Sequence, residues 1–390
     1  MIKNKIYLDY AATTPVDPRV VKAMLPYFTG KFGNSASLHS FGAEAKAAVD
    51  KSRKVIADAM KANSKEIYFT SSATESNNLA LKGIAQASGR AGKSGKNHVI
   101  VSSVEHDCVL TSAAWLEQQG WQLTLLPVDK NGMVSPADVA KAIRPDTLLV
   151  SVMHANNEIG TINPIGEIGK ICREKGVYFH TDAAQTFGKL PIDVNRLNID
   201  LLTVSAHKMY GPKGIAALYV RSGVKIKPLL HGGGHENGLR SSTVNVPAIV
   251  GFAEAVKICL RDMKSERTRL QKLRDKLIIG VLKSIPDSYL NGHPTKRLPN
   301  NANFRFSYIE GEALIMMLDS MGIAASTASA CSSPKLQPSH VLLACGLRPQ
   351  DAHGSLRLSL GRWTTEKEID EVLKILPGVI KKLRDISPFK

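Results

Sequence analysis

The sequence predicts an α/β protein: a large domain on a mainly parallel sheet, followed by a smaller α+β domain. Three observations lead there. Short β-rich runs recur along the first 220 residues, separated by stretches with helical periodicity. After about residue 246 the pattern changes to one long helical stretch followed by weaker strands. The 390 residues suffice for two substantial cores, and 43% hydrophobic with 22% charged residues is ordinary globular composition.

In chain order, the strand-like runs are "EIYFTSS" (66–72), "HVIVSSVEH" (98–106), "TLLVSVMHANN" (147–157), "VYFHTDAAQ" (177–185), "LLTVSAHK" (201–208) and "IAALYV" (215–220). "SNNLALKGIAQA" and "DCVLTSAAWLEQQG" between them have helical spacing. Such alternation implies parallel strands covered on both faces. "GPKG" (211–214) is too short for a crossover helix, so one antiparallel neighbour is expected there. A long helix then runs towards Ile285, "NANFRFSYI" and "SLRLSL" read as strands, and "KEIDEVLKILPGVIKKLRD" as a terminal helix kinked or broken at Pro377. The expected division is 15–259 for the large domain, and 1–14 with 260–390 for the small one. "HGGGHENGLRSST" (231–243) reads as a site loop more than a linker, and its His231 and His235 lack the glutamate of a zinc helix, so no metal is expected.

The formal charge of +17 is spread along the chain. Its mild concentration in "RDMKSERTRLQKLRDK" (261–276) includes acids at helical spacing and reads as a solvated face. With no aromatic-interleaved basic stripe or zinc-finger spacing, direct nucleic-acid binding is not expected. Five cysteines without a CxxC pair, behind an N-terminus that does not resemble a secretory leader, point to reduced thiols and a cytoplasmic location. No run is long enough for a membrane span.

Five of the six strand-like runs end in polar side chains: Ser71–Thr74, Glu105–His106, Asn156–Glu158, Asp182 with Gln185, and Ser205–Lys208. In open parallel sheets ligands sit beyond the carboxyl ends of the strands, so these tips describe one pocket. "SSATESNN" puts small polar residues at a strand-to-helix turn, a phosphate-binding arrangement. Neither GxxxxGK[ST] nor GxGxxG occurs, which counts against a nucleotide or dinucleotide. A strand-terminal lysine able to form an imine, a carboxylate for a ring nitrogen and a phosphate cradle suit pyridoxal 5'-phosphate (PLP).

The chain also resembles a known family. "YLDYAATTPVDPRV", "FTSSATESNN", "SVEHD", "SVMHANNEIGT", "HTDAAQ", "SAHKMYGPKG", "HGGGHENGLRSST" and "TASACSS", in this order, are similar to the motifs of NifS/IscS-type cysteine desulfurases, of the class V aminotransferase family. The resemblance implies a PLP-dependent transferase of fold type I (aspartate aminotransferase-like), acting as a homodimer that converts L-cysteine to L-alanine and a persulfide on Cys331. It implies Lys208 as the lysine joined to the cofactor, Asp182 as partner of the ring nitrogen, and Gln185 at the ring hydroxyl. His106 would stack on the ring and assist proton transfer. Ala73, Thr74, Ser205 and His207 would hold the phosphate, with Thr243 reaching in from the other subunit. Asn157, at the cofactor, and Arg357 would hold the substrate carboxylate. The sulfur would pass to an iron–sulfur scaffold protein or a tRNA-thiolation enzyme. Ser72 and Ser242 stand where the family motifs have glycine, and Asp107 has no assigned counterpart. The remaining cysteines, Cys108, Cys172, Cys259 and Cys345, read as inert buried thiols. The alternatives are a selenocysteine lyase, another class V aminotransferase, or a non-catalytic binding protein with this fold.

Overall fold

The computed structural model describes residues 5–89, 95–327 and 338–388. Its central sheet has seven strands: β1 (Ile67–Thr70), β2 (His98–Ser102), β3 (Gln122–Leu126), β4 (Thr147–Ser151), β5 (Tyr178–Asp182), β6 (Leu201–Ser205) and β7 (Ala216–Val220). They lie in the order β1-β7-β6-β5-β4-β2-β3. β7 is antiparallel to both its neighbours and the other pairings are parallel, as the short Gly-Pro-Lys-Gly connection requires.

Residues of β2, β4, β5, β6 and β7 are buried almost throughout, so the strands read as continuous apolar runs. Their two faces nevertheless separate with period two. Ile100, Val150, Phe179, Leu202 and Ala217 pack with helices α1 (Ser40–Ala59), α4 (Ile165–Glu174) and the first half of α5 (Val246–Ser284). Val99, Val101, Leu149, Leu201 and Leu218 pack with α2 (Ala73–Ser88) and α3 (Asp107–Gln118) on the other side.

A second core gathers Leu270, Leu273, Leu277 and Val281 from the far half of α5, with Ile6 and Leu8 from the start of the chain. It also holds the inner faces of α6 (Gly311–Ser320), α7 (Glu366–Ile386) and an antiparallel sheet. That sheet consists of β8 (Ser288–Asn291), β9 (Asn301–Phe306) and β10 (Ser355–Ser359), with β9 central. Arg362 ties the cores together: it pairs with Asp17 at 2.9 Å and Glu266 at 3.0 Å and lies over the Tyr210 ring.

Two expectations are corrected. Helix α7 is not broken: it continues through Pro377, because Leu376, Val379, Ile380 and Leu383 beside it are buried and hold the helix in register. Strand β3, absent from the sequence reading, forms the sheet edge; its Gln122 and Leu125 are exposed, so it lacks the apolar signature of its neighbours.

Candidate active site

The carboxyl ends of β1, β2, β5 and β6, four strands of the central sheet, deliver the site. β1 leads into α2, whose first residues are Ala73 and Thr74, and the Ser72 hydroxyl caps the helix by accepting from Glu75 N–H. β2 leads to His106, the N-cap of α3, whose Nδ1 accepts from Cys108 N–H. β5 ends at Asp182, which is buried, and β6 at Ser205, followed by a single tight turn, Ala206–Lys208. The turn closes through Gly211 N–H to the Ala206 carbonyl, and a Cβ on Gly211 would lie 2.9 Å from that oxygen. A glycine is therefore required there.

The N-terminal segment 9–14 folds over this turn. Lys208 Nζ donates to the carbonyls of Ala11 and Ala12, each at 2.7 Å, and Gln185 Nε2 donates to Ala11 at 2.9 Å. His207 Nδ1 meets Thr13 Oγ1 at 3.2 Å; burial, with Lys208 as a positive neighbour, pushes its pKa down to about 4. Beneath the turn, Lys189 Nζ donates to the carbonyls of Gln185 and Lys208, and burial pushes its pKa down to about 8.

Arg357, on β10 and 2% exposed, donates to Asp9 at 2.8 Å and to the Asn157 carbonyl at 3.2 Å. Its Nε has no partner among the described residues, a buried donor of the kind a carboxylate ligand satisfies. Ser326 exchanges two backbone hydrogen bonds with Arg357, Ser339 Oγ donates to Glu158, and His340 Nε2 meets the Glu105 carbonyl. Cys331 lies outside the described residues, but both described flanks of its segment are thus fixed beside the site.

Thr243 is exposed and is not drawn into the cluster of this chain. Its loop is pinned nearby: Glu236 pairs with Arg53 and accepts from Phe69 N–H, while Arg240 pairs with Glu75 in the first turn of α2. Neither departure from glycine demands a glycine conformation. Ser72 has φ −163°, ordinary extended backbone, and Ser242 does not have a positive φ.

Three participants escaped sequence reasoning. Asp9 holds Arg357 from the other end of the chain. Asn77 Nδ2 donates to Asp182 Oδ2 at 2.7 Å and lies 3.1 Å from Cys108 Sγ. Asp182 Oδ1 accepts from Ala184 N–H, so its carboxylate is held from both ends. Cys108 itself borders the site, 3.1 Å from His106 Nδ1. Burial pushes its thiol up to about 12, so its proximity does not make it a nucleophile at neutral pH. Cys345 is half-buried, not fully buried as the sequence implied.

The class-V aminotransferase family profile matches residues 6–372. The chain belongs to this family. It is 55% identical over 387 residues to cysteine desulfurase IscS of Methanosarcina thermophila, covering 99% of this chain and 95% of the relative. Among solved structures, a NifS-like protein superposes with a TM-score of 0.91 at 38% identity, over 97% of this chain and all of that one. A protein solved as "SspA in complex with cysteine" superposes with a TM-score of 0.81 at 38% identity, covering 93% of this chain and all of that one. The architecture is the α/β, fold-type I arrangement of the family, whose members depend on PLP.

The residues present fit that cofactor. A doubly held carboxylate and a strand-terminal amine stand at the ends of the neighbouring strands β5 and β6, a helix N-terminus follows β1, and the buried Arg357 Nε has no partner among the described residues.

Buried acids near the site set the pH dependence of stability. Burial raises Glu105 to about 8 and Glu158 to about 7, from an ordinary 4.5. The folded state therefore binds more protons than the unfolded chain, and the stability these groups contribute is lost as pH rises from about 4.5 through 7 and 8. Burial lowers His154 to about 4 and His180 to about 3, which works oppositely but only below the ordinary 6.5. Above pH 6.5 the histidines drop out, and Lys189, lowered to about 8, opposes the glutamates only towards the top of the window. The Tm is expected to fall between pH 6.5 and 8, and to fall less in Glu105→Gln, measured by scanning calorimetry. A Tm that rises across that window would contradict this account.

Proposed function

We propose that this chain removes the sulfur of L-cysteine, leaving L-alanine, with PLP held at the strand ends. The observation that carries the reading is that Lys208, Asp182, His106 and the α2 N-terminus all follow the carboxyl ends of strands of one sheet, with the segment 9–12 bonded to Lys208 at Ala11 and Ala12 and to Arg357 at Asp9. Lys208 would carry the cofactor, Asp182 would hold the proton of its ring nitrogen, and Gln185 would meet the ring hydroxyl. Ala73, Thr74, Ser205 and His207 would hold the phosphate, with Thr243 contributed by a second copy. When bound, PLP supplies an electron sink that makes the substrate's carbon–sulfur bond labile. Arg357 and Asn157 would fix the substrate carboxylate, and His106 would move the proton. Cys331 would take the sulfur as a persulfide and pass it to an iron–sulfur scaffold protein or a tRNA-thiolation enzyme.

L-cysteine with a thiol reductant is expected to give alanine and sulfide in equal amounts, read by amino-acid analysis. A keto acid as the product, or turnover of selenocysteine alone, would replace this reading with one of the related activities.

The two hydrophobic cores support a large domain at 15–259 and a small one from 1–14 and 260–390. We further propose a homodimer. Leu25, Phe28, Phe32, Leu38 and Phe41 are all exposed within one short stretch, with Phe32 against Phe41, an apolar surface that a second copy would cover. Sedimentation should give twice the 42.2 kDa chain mass, and a monomer at micromolar concentration would refute it. No described helix is long and apolar enough to cross a membrane. The described cysteines are free thiols, which suits the cytoplasm; recovery of the native protein in a secreted fraction would count against that.

A further inference from the structure

The basic stretch of α5 has one side that does more than meet water. Arg267, Gln271 and Arg274 stand at i, i+4 and i+7, on one face of the helix. With Thr295, Lys296 and Arg297 they line a cavity of about 390 Å³, to which no acidic side chain contributes.

Two of these cations are 3% exposed. Among the described residues Arg297 donates only to neutral carbonyls, those of Asn301, Asn291, His293 and Ile159. Burial and the charge of Arg274 push its pKa down to about 9, as expected where positive charge is poorly compensated. Arg274 has one carboxylate among the described residues, Asp275, which lies outside the lining, and its Nη1 donates to the carbonyls of Arg297 and Leu298. At the rim, the side chains of Arg267, Lys296 and Gln271 are exposed and have no hydrogen-bond or ion-pair partner among the described residues.

We propose that this cavity is a binding site for a small polyphosphate-class anion, separate from the PLP site. Four cations against one carboxylate match a diphosphate better than a single-charged ion, and the planar guanidinium groups suit phosphate oxygens. The volume exceeds what one phosphate fills. A cationic concavity of this kind also concentrates anions from solution. The site is wired to the catalytic loop: Ile162 N–H donates to the Lys296 carbonyl, Leu298 N–H to Gly160, and Asn301 Nδ2 to Asn157. An occupant of the 295–299 segment thus leans on the loop that carries Asn157.

The test is calorimetric titration of the PLP-loaded enzyme with pyrophosphate, orthophosphate and sulfate at constant ionic strength, while cofactor absorbance is followed. Pyrophosphate is expected to bind saturably and more tightly than the other two, without loss of the cofactor signal. Lys296→Glu and Arg267→Glu, both at exposed positions, should each weaken it by about tenfold or more. Lys264→Glu, which does not line the cavity, should leave it unchanged. Circular dichroism of each variant checks that the fold is kept. The proposal is overturned if no anion binds saturably, if binding displaces the cofactor, or if Lys264→Glu weakens it as much as the rim variants.

Discussion

Lys208→Ala is expected to lower alanine formation by at least about 10³-fold and to abolish covalent retention of the cofactor. Borohydride reduction followed by mass spectrometry should fix a cofactor mass to the wild-type chain and none to the variant. The loss should be chemical and not structural. The Lys208 amine donates to Ala11 and Ala12, so its removal unties two carbonyls of the segment above the turn, a cost of about 1–3 kcal/mol. That segment keeps other anchors: Thr14 donates to the His207 carbonyl, Tyr210 N–H donates to Thr14 Oγ1, and Asp17 N–H donates to Tyr210. Lys208→Arg separates the two effects, since it keeps a cationic donor for the carbonyls but no amine that can join an aldehyde. It should be folded as well as the wild type and equally inactive. Alanine formation by either variant at a tenth of the wild-type rate would remove Lys208 from the chemistry.

How much of this was legible follows from where each signal resides. Buried strands announce themselves as apolar runs because both faces are covered, and β2, β4, β5, β6 and β7 were all visible for that reason. β3 was invisible because a sheet edge mixes exposed Gln122 and Leu125 with one buried leucine. Pro377 misled because local propensity favours a break, while the buried stripe on either side holds α7 together. The site shows the same division. Lys208 and Asp182 were legible as polar tips on apolar stems. Asn77 was not: in sequence it is one more polar residue near a helix start, and only folding brings it 2.7 Å from a carboxylate 105 residues away. Asp9 reaches Arg357 across 348 residues, a pairing that no local pattern encodes.

Cys331→Ala is expected to keep the cofactor and its absorbance but to lower alanine and sulfide formation by at least about 10³-fold. The argument runs through the other thiols. Burial pushes Cys108, Cys172 and Cys345 up to about 12 and Cys259 up to about 11. At neutral pH each is almost wholly protonated, and the thiolate is the nucleophile, so none substitutes for a missing acceptor even though Cys108 borders the site. Chain length does the rest. Cys331 follows Thr327 by four residues, a span of at most about 14 Å, and Ser326 beside it is bonded to the backbone of Arg357. A tether of that length is long enough to bring a sulfur to the Arg357 side of the site, whereas Cys172 is held in α4 and Cys259 in α5. Adding Cys108→Ala to the wild type should therefore leave sulfur transfer within about threefold of normal. If instead Cys331→Ala turned over at half the wild-type rate and Cys108→Ala did not, the buried thiol would have to be the acceptor, and the environment that keeps it protonated would have to be rethought.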